Sequence, residues 1–355
     1  MSTLDDAHPG LREGPRAAKF NPQTPTLPAK SLSLQLFMFS VFRNSRKHRP
    51  KPPGFRPALF RTIGLLFGLL WLAQSAWAQS AKQPLDWVYL ENKELRVGLL
   101  RSHGGAIGYL SAPDSNRNIL NHYDHGRLIQ QSYYGDEDGS KWADKPWRYN
   151  PVQAGDYQGH PAELLEFRST ATTAYARTRP RNWAGGELLE DCELEQSIEL
   201  DGPLVKLKYS FHYRGKQTHA ARDQETPAVF VAPELTRLAT YSGKQPWTDG
   251  ELSVRTPDWP NEYLEISEHW VAWVDDQNSG LGIYVPTANR ATCYRYQGGN
   301  HSDCSYVAPL SQFALKTDLS FSYEAWLTAG GLKTIRSRFQ ELHRQSLKAE
   351  SAKRP

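Results

Sequence analysis

The sequence predicts an all-β protein, built as one large antiparallel β-sandwich with a short C-terminal helix. Three observations carry this: a hydrophobic period of two, turn signals between the alternating segments, and helical spacing only near the end. Val205, Leu207, Tyr209, Phe211 and Tyr213 alternate with Lys206, Lys208, Ser210 and His212. Before them, Cys192, Leu194, Gln196, Ile198 and Leu200 alternate with Glu193, Glu195, Ser197 and Glu199. Asp201-Gly202-Pro203 separates the two runs, so they read as a hairpin with one buried face. Leu95, Val97 and Leu99 alternate likewise. Further strands are predicted at 86–91, 104–111, 127–134, 163–169, 228–231, 269–275, 281–285, 292–297, 304–308 and 320–328. Gly104-Gly105, Gly185-Gly186 and Asn278-Ser279-Gly280 supply turns. Ile335, Phe339 and Leu342 set a helix at about 332–349.

The expected domain is 79–355, preceded by a leader at 1–78. Arg61 precedes an apolar core from Thr62 to Leu72, followed by the small-x-small site Ala76-Trp77-Ala78. This is the layout of a secretory signal cleaved after Ala78, and its core is short for a membrane span. An uncleaved anchor is the alternative. Met38 is the other methionine, so residues 1–37 are untranslated if synthesis starts there. The expected location is periplasmic or secreted, with no stable membrane anchor after cleavage.

Charge sharpens that division. The chain has 42 basic and 38 acidic residues, of which the leader holds 11 and three, leaving 31 against 35. A mildly acidic domain argues against a nucleic-acid partner, which wants a basic face. Export permits disulfides. Cys293 and Cys304 flank a segment that reads as two strands and a Gly-rich turn. A two-residue turn at Gly298-Gly299 places the two cysteines opposite each other and predicts a bridge. A longer loop through Asn300–Asp303 fits the residues equally. Cys192 reads as a buried small apolar residue. No Cys/His spacing suits zinc.

After the leader come nine Trp and 17 Tyr but only six Phe. Trp and Tyr join a flat apolar face to a hydrogen-bonding tip, which matches the C–H faces and hydroxyl edges of sugars. Strand edges of ordinary sandwiches also use them. A carbohydrate is the expected ligand.

Four segments bear chemistry. Arg127, Gln131, Tyr133 and Tyr134 lie on a strand with no clean core face, which reads as the floor of a polar groove. Trp142, Trp147, Arg148, Asn150, Gln153 and Asp156 lie in what reads as a long irregular loop. All ten are candidate substrate-binding residues. Asp136, Glu137 and Asp138 just before that loop have the oxygen chemistry of a Ca²⁺ site. Without EF-hand spacing, a solvated acidic turn is the preferred reading, and no cofactor is expected. In the third segment, Glu268 precedes His269 at the head of a strand, where the near-neutral pKa of imidazole suits a general acid or base. In the fourth, Glu324 lies within an apolar strand, where a carboxylate is either paired or functional. Arg222, Glu225, Glu234 and Arg237 rank behind these.

The segment Leu95–Ser111, containing Gly104-Gly105-Ala106-Ile107-Gly108-Tyr109-Leu110, resembles the opening hairpin of galactose mutarotase-like domains. The resemblance implies a β-supersandwich over roughly 86–330. It also implies an acid/base pair with a middle-strand His and a late-strand Glu, placed here at His269 and Glu324. That superfamily includes epimerases, polysaccharide lyases and glycoside hydrolase domains, so the fold does not decide the reaction. The expected function is an exported polysaccharide- or oligosaccharide-degrading enzyme, a glycoside hydrolase or polysaccharide lyase ahead of an epimerase. It would use His269 with Glu324 or Glu268. Non-catalytic carbohydrate binding and an envelope structural role are the alternatives.

Overall fold

The computed structural model describes residues 86–352, except 113, 114, 116, 300 and 301. The leader, its cleavage site and the possible start at Met38 lie outside the described residues. In chain order the first strands are β1 (Trp87–Glu91), β2 (Arg96–Leu100), β3 (Ala106–Ser111), β4 (Gln130–Ser132), β5 (Glu137–Trp142), β6 (Lys145–Arg148) and β7 (Pro151–Val152). Next come β8 (Glu163–Ser169), β9 (Thr173–Arg179), β10 (Arg181–Asn182), β11 (Cys192–Asp201), β12 (Leu204–Tyr213), β13 (Arg222–Val231) and β14 (Arg237–Thr240). The last are β15 (Ser253–Arg255), β16 (Glu262–Glu265), β17 (Trp270–Val274), β18 (Ser279–Tyr284), β19 (Arg290–Tyr296), β20 (Cys304–Phe313) and β21 (Leu319–Gly331), followed by the helix α1 (Leu332–Ala352).

Two large antiparallel sheets form the sandwich. One has seven strands in the order β10-β7-β4-β13-β20-β19-β16; the other has nine, β15-β14-β17-β18-β21-β12-β11-β9-β8. The small sheet β1-β2-β3 joins the first through the Ile107–Ile129 bridge. Between the large sheets lies a core to which Val229, Val231, Cys293 and Val307 contribute from one side and Leu207, Tyr209, Val271, Trp273, Ala325 and Leu327 from the other. The predicted hairpin is present as β11 and β12, paired from Cys192–Tyr213 to Asp201–Leu204 around Gly202-Pro203. Its alternation works because every second side chain enters this core.

The helix runs longer than expected. Ile335 and Phe339 are fully buried against Trp270, Ala272, Val274 and Tyr284 on the outer face of the nine-stranded sheet. Burying each such side chain contributes about 1.5–3 kcal/mol. Gly282 permits the approach, because a Cβ there would lie 2.3 Å from Cγ2 of Ile335 and 2.8 Å from Phe339. No helix among the described residues is long and apolar enough to cross a membrane.

Three local expectations are corrected. Cys293 pairs across the ladder with Val307, and Cys304 with Tyr296. The turn is therefore the longer loop, and the two cysteines point to opposite faces: Cys293 into the main core, Cys304 into an outer aromatic cluster. All three cysteines are free thiols. Residues 142–156 are not one irregular loop, since Trp142 ends β5, β6 returns against it and β7 joins the seven-stranded sheet. Finally, β13 is a ten-residue strand rather than the four residues 228–231.

Candidate functional site

The outer face of the seven-stranded sheet carries the densest grouping of polar aromatics around an acid. A β-bulge in β13 creates it. The register of β13 shifts between Glu225 and Val229 against β20, and between Glu225 and Ala228 against β4. Bulges re-aim side chains. Val229 and Val231 enter the core, while Ala228 and Phe230 face outward with Tyr306 and Cys304. The bulge brings Glu225 to that same outward face, directly across from Ser132 of β4.

Glu225 is half-buried there. The Tyr134 hydroxyl donates to its Oε1 at 2.9 Å, and the Tyr306 hydroxyl donates to the same oxygen. Burial pushes the Glu225 carboxyl above its usual range, opposed by the hydrogen bonds from Tyr306 and Tyr134. Burial also drives both phenols well above 10, so they stay neutral donors. Tyr294 stacks on Tyr306 with centroids 4.6 Å apart, and Trp259 meets Tyr294 edge-on at 4.8 Å. Tyr263, 52% exposed, lies beyond them on β16. Asp223, two residues before Glu225 on β13, is 3.6 Å from Arg290.

Two guanidinium groups flank this row. Arg127 lies over the Tyr123 ring at 4.9 Å and the Tyr296 ring at 5.8 Å, and is 3.6 Å from Asp124. Its Nη1 donates to the carbonyl of Ser302. Arg148 lies over the Trp147 ring at 5.7 Å, and its charge opposes the upward push on the Tyr134 phenol. A second aromatic bank stands beside it. Trp142 meets Trp147 at 5.0 Å and Trp183 at 5.6 Å, and Trp183 meets Tyr157 at 6.2 Å. Gly126 lets Trp183 close on the backbone beside Arg127, since a Cβ there would sit 2.6 Å from that ring. Trp147 is tied in through Nε1, which donates to Asn150 Oδ1, while Asn150 Nδ2 donates to Ser132 Oγ.

Of the sequence-derived candidates, Arg127, Tyr134, Trp142, Trp147 and Arg148 therefore come to this face. Gln131, Tyr133 and Gln153 do not, because they point between the sheets. Tyr133 donates to Gln131 Oε1, Gln131 Nε2 donates to the Glu195 carbonyl, and Gln153 Nε2 donates to the Gly104 carbonyl. They satisfy one another inside the sandwich. Asn150 is buried and acts as the tether already described. Asp156 is buried and closes a turn, accepting from the backbone N–H of Gln158 and His160 and pairing with the His160 ring at 2.8 Å.

The proposed acid/base trio separates. His269 precedes β17 in a tight turn with φ of 60°, its Nδ1 2.8 Å from the Ala288 carbonyl. Glu268 is fully buried. It accepts from Arg336 Nη2 at 2.7 Å and Nε at 3.2 Å, from the Trp247 N–H and from the Trp270 indole, each at 2.9 Å. Those bonds dock α1. Glu324 alternates with Tyr323 and Ala325, which enter the core, so it faces outward on the nine-stranded sheet opposite Lys208. There it lines an open groove of about 670 Å³ with Arg168, Lys206 and Glu199.

The acidic triplet does not converge either. Asp136 is held by Arg222 at 2.9 Å and the Ala220 N–H, and Asp138 by Ser140 and the Asn182 amide. Among the described residues, no group of three or more His, Cys, Asp or Glu has metal-binding geometry. Glu225 is a weak candidate from sequence, and Trp183, Tyr294 and Tyr306 are not among the sequence-derived candidates. The available signal was Tyr294 and Tyr296 alternating with Cys293, mirrored by Tyr306 beside Val307.

No protein-family model and no curated protein matches this sequence. Solved structures do. A galactose mutarotase-like protein from Lactobacillus casei aligns at 9% identity over 68% of this chain and 99% of its own, with a TM-score of 0.50. A galactose mutarotase related enzyme from Lactobacillus acidophilus aligns at 12% identity over 68% and 97%, with a TM-score of 0.46. The 4-alpha-glucanotransferase from Thermococcus litoralis aligns at 14% identity over 70% of this chain and 38% of its own, with a TM-score of 0.41. At such identities the likeness is one of architecture. In architecture, then, this chain is a galactose mutarotase-like β-sandwich.

Proposed function

We propose that the protein is an exported carbohydrate-active enzyme whose proton-transferring group is Glu225. The observation that supports this is a carboxyl with a pKa raised by burial, held by two phenols and bordered by Tyr, Trp and Arg side chains. A protonated Glu225 is a general acid able to donate to a leaving sugar oxygen. The half-exposed rings supply stacking faces, and the neutral phenols of Tyr134 and Tyr306 fix the carboxyl and do not compete for its proton. Degradation of a polysaccharide or oligosaccharide, by hydrolysis or elimination, is the reaction class that uses such an acid. Export rests on the signal-like leader, with cleavage after Ala78.

Glycan binding without turnover is the second reading. It is favoured by the commitment of Asp223 to Arg290, which leaves Glu225 without a free carboxylate partner on its strand face. One experiment separates the two. The purified protein is screened for binding and for product release on a glycan panel, alongside Glu225→Gln. Turnover that falls at least about 100-fold in the variant while binding persists supports the enzyme. Binding without product in either protein supports the second reading, and no binding at all refutes both.

A further inference from the structure

Glu225 lies on the middle strand of its sheet, and aromatic rings extend from it in both directions. β13 is the fourth of seven strands in the order β10-β7-β4-β13-β20-β19-β16, so three strands lie on each side of it. At the spacing of neighbouring strands, each edge of the sheet is about 14 Å away. One row of directly paired residues crosses the first half of the face: Arg181 faces Val152, Val152 faces Ser132, and Ser132 faces Glu225. Directly opposed residues point to the same side of a sheet, and so do residues two apart on one strand. Trp183, two residues beyond Arg181, therefore belongs to the face that carries the acid. Its backbone N–H donates to the Asn150 carbonyl at 2.9 Å, and Asn150 Nδ2 donates to Ser132 Oγ at 3.2 Å. Tyr157 continues this bank, with its ring centroid 6.2 Å from that of Trp183.

The other half of the face is built alike. Tyr306 on β20 donates to Glu225, and Tyr294 faces Tyr306 from β19 and stacks on it at 4.6 Å. Tyr263, on the edge strand β16, faces Thr292, which in turn faces Ala308 of the outward cluster. The rings at the two ends are the exposed ones: Tyr157 is 42% and Tyr263 52% exposed, whereas Tyr306 beside the acid is 2% exposed. The aromatic row therefore ends in solvent on both sides. A single sugar, about the size of one aromatic ring, would use one such platform and leave the rest wet. A chain laid across the strands meets rings on both sides of the acid. Granting the carbohydrate reading, on which this rests, we propose that the ligand is a polysaccharide bound lengthwise across the seven strands, with Glu225 at an internal linkage and Tyr157 and Tyr263 binding its outlying sugars. Cleavage is then internal, not from a chain end. Hydrolysis there consumes one water per bond and leaves one reducing and one non-reducing end. Elimination moves a carbon-bound proton to the leaving oxygen and leaves one reducing and one unsaturated end.

The test compares chain lengths. Disaccharides and octasaccharides from cellulose, xylan, mannan, laminarin, chitin, polygalacturonate and alginate are titrated into the purified protein, into Tyr157→Ala and into Tyr263→Ala. Both substitutions are at exposed positions and should leave Tm unchanged. The expected result is binding at least about tenfold tighter for the octasaccharide of a recognised series than for its disaccharide. Each variant should lose about two- to tenfold in octasaccharide affinity and keep its affinity for the disaccharide. With the parent polysaccharide as substrate, viscosity should fall well before chain ends accumulate, and the first products should be long and mixed in length.

A disaccharide that binds as tightly as its octasaccharide overturns the inference and leaves the carbohydrate reading standing. Octasaccharide affinity that survives in either variant, or an equal loss for both lengths, overturns it as well. First products confined to single sugars or disaccharides overturn the internal cut. Where no product forms, the length and variant comparisons decide alone. Failure of every probe to bind overturns both this inference and the reading on which it rests.

Discussion

Replacing Glu268 should cost stability rather than chemistry. Its carboxylate has no exposed surface and receives four hydrogen bonds, two from Arg336 and one each from the Trp247 N–H and the Trp270 indole. The Arg336 side chain is only 11% exposed. In Glu268→Ala that guanidinium keeps its bond to the Gly250 carbonyl but loses its counter-charge, and two further N–H donors lose their acceptor. Removing one partner of a buried ion pair costs about 3–5 kcal/mol. For a domain of this size that is a fall in Tm of roughly 10 °C. Urea denaturation of the purified protein, followed by tryptophan fluorescence, measures the change directly. Glu268→Gln keeps the shape and one acceptor, so its loss should be smaller. A loss below about 1 kcal/mol in Glu268→Ala refutes the reasoning. Full stability combined with lost turnover would return Glu268 to the catalytic machinery.

Three further outcomes follow from the geometry. The Glu225 pKa is raised in the folded state, so its contribution to stability is complete below the unfolded value near ~4.3 and is lost as pH rises through the folded value. Denaturation midpoints from pH 4 upward should therefore fall for the native protein relative to Glu225→Gln, and parallel curves would contradict the raised pKa. Gly282→Ala should destabilise by about 1–3 kcal/mol, because its methyl meets Ile335 and Phe339 under the helix; an unchanged midpoint would show that α1 packs less closely there. With all three cysteines free and buried, a thiol reagent should label them only after unfolding, and a reductant should leave Tm unchanged. Protection of two thiols in denaturant without reductant would restore the bridge.

The parts of this fold that were legible in the sequence are those where one strand face is buried and the other wet. The β11–β12 hairpin is the clearest case, since its alternation is the direct image of a core on one side. Strands with polar groups on both faces misled. Gln131, Gln153 and Gln196 are buried yet satisfy one another and the carbonyls of Gly104 and Gly105, so their polarity does not mark a ligand surface. A carboxylate in an apolar strand suggests a paired or functional group, yet the outward alternation of Glu324 with Tyr323 and Ala325 is ordinary. The cysteine register turned on the length of one loop, which composition does not fix. Sheet order is a further gap: β13 lies between β4 and β20, neither of them its neighbour in sequence, and nothing local encodes that pairing.

The bulge in β13 has a consequence for how this protein tolerates change. Counting back in twos from Val231 and Val229 assigns Glu225 to the core, and only the additional residue before Ala228 turns it outward. The bulge thus reconciles an outward Glu225 with a core-facing Val229 four residues later. A substitution library across 226–228 would sample variants around a preserved acid. Deleting one residue there would make the steps on β13 and β20 equal and leave Glu225 three positions before Val229, where regular alternation still turns it outward, so the acid should keep its face in an unbroken ladder.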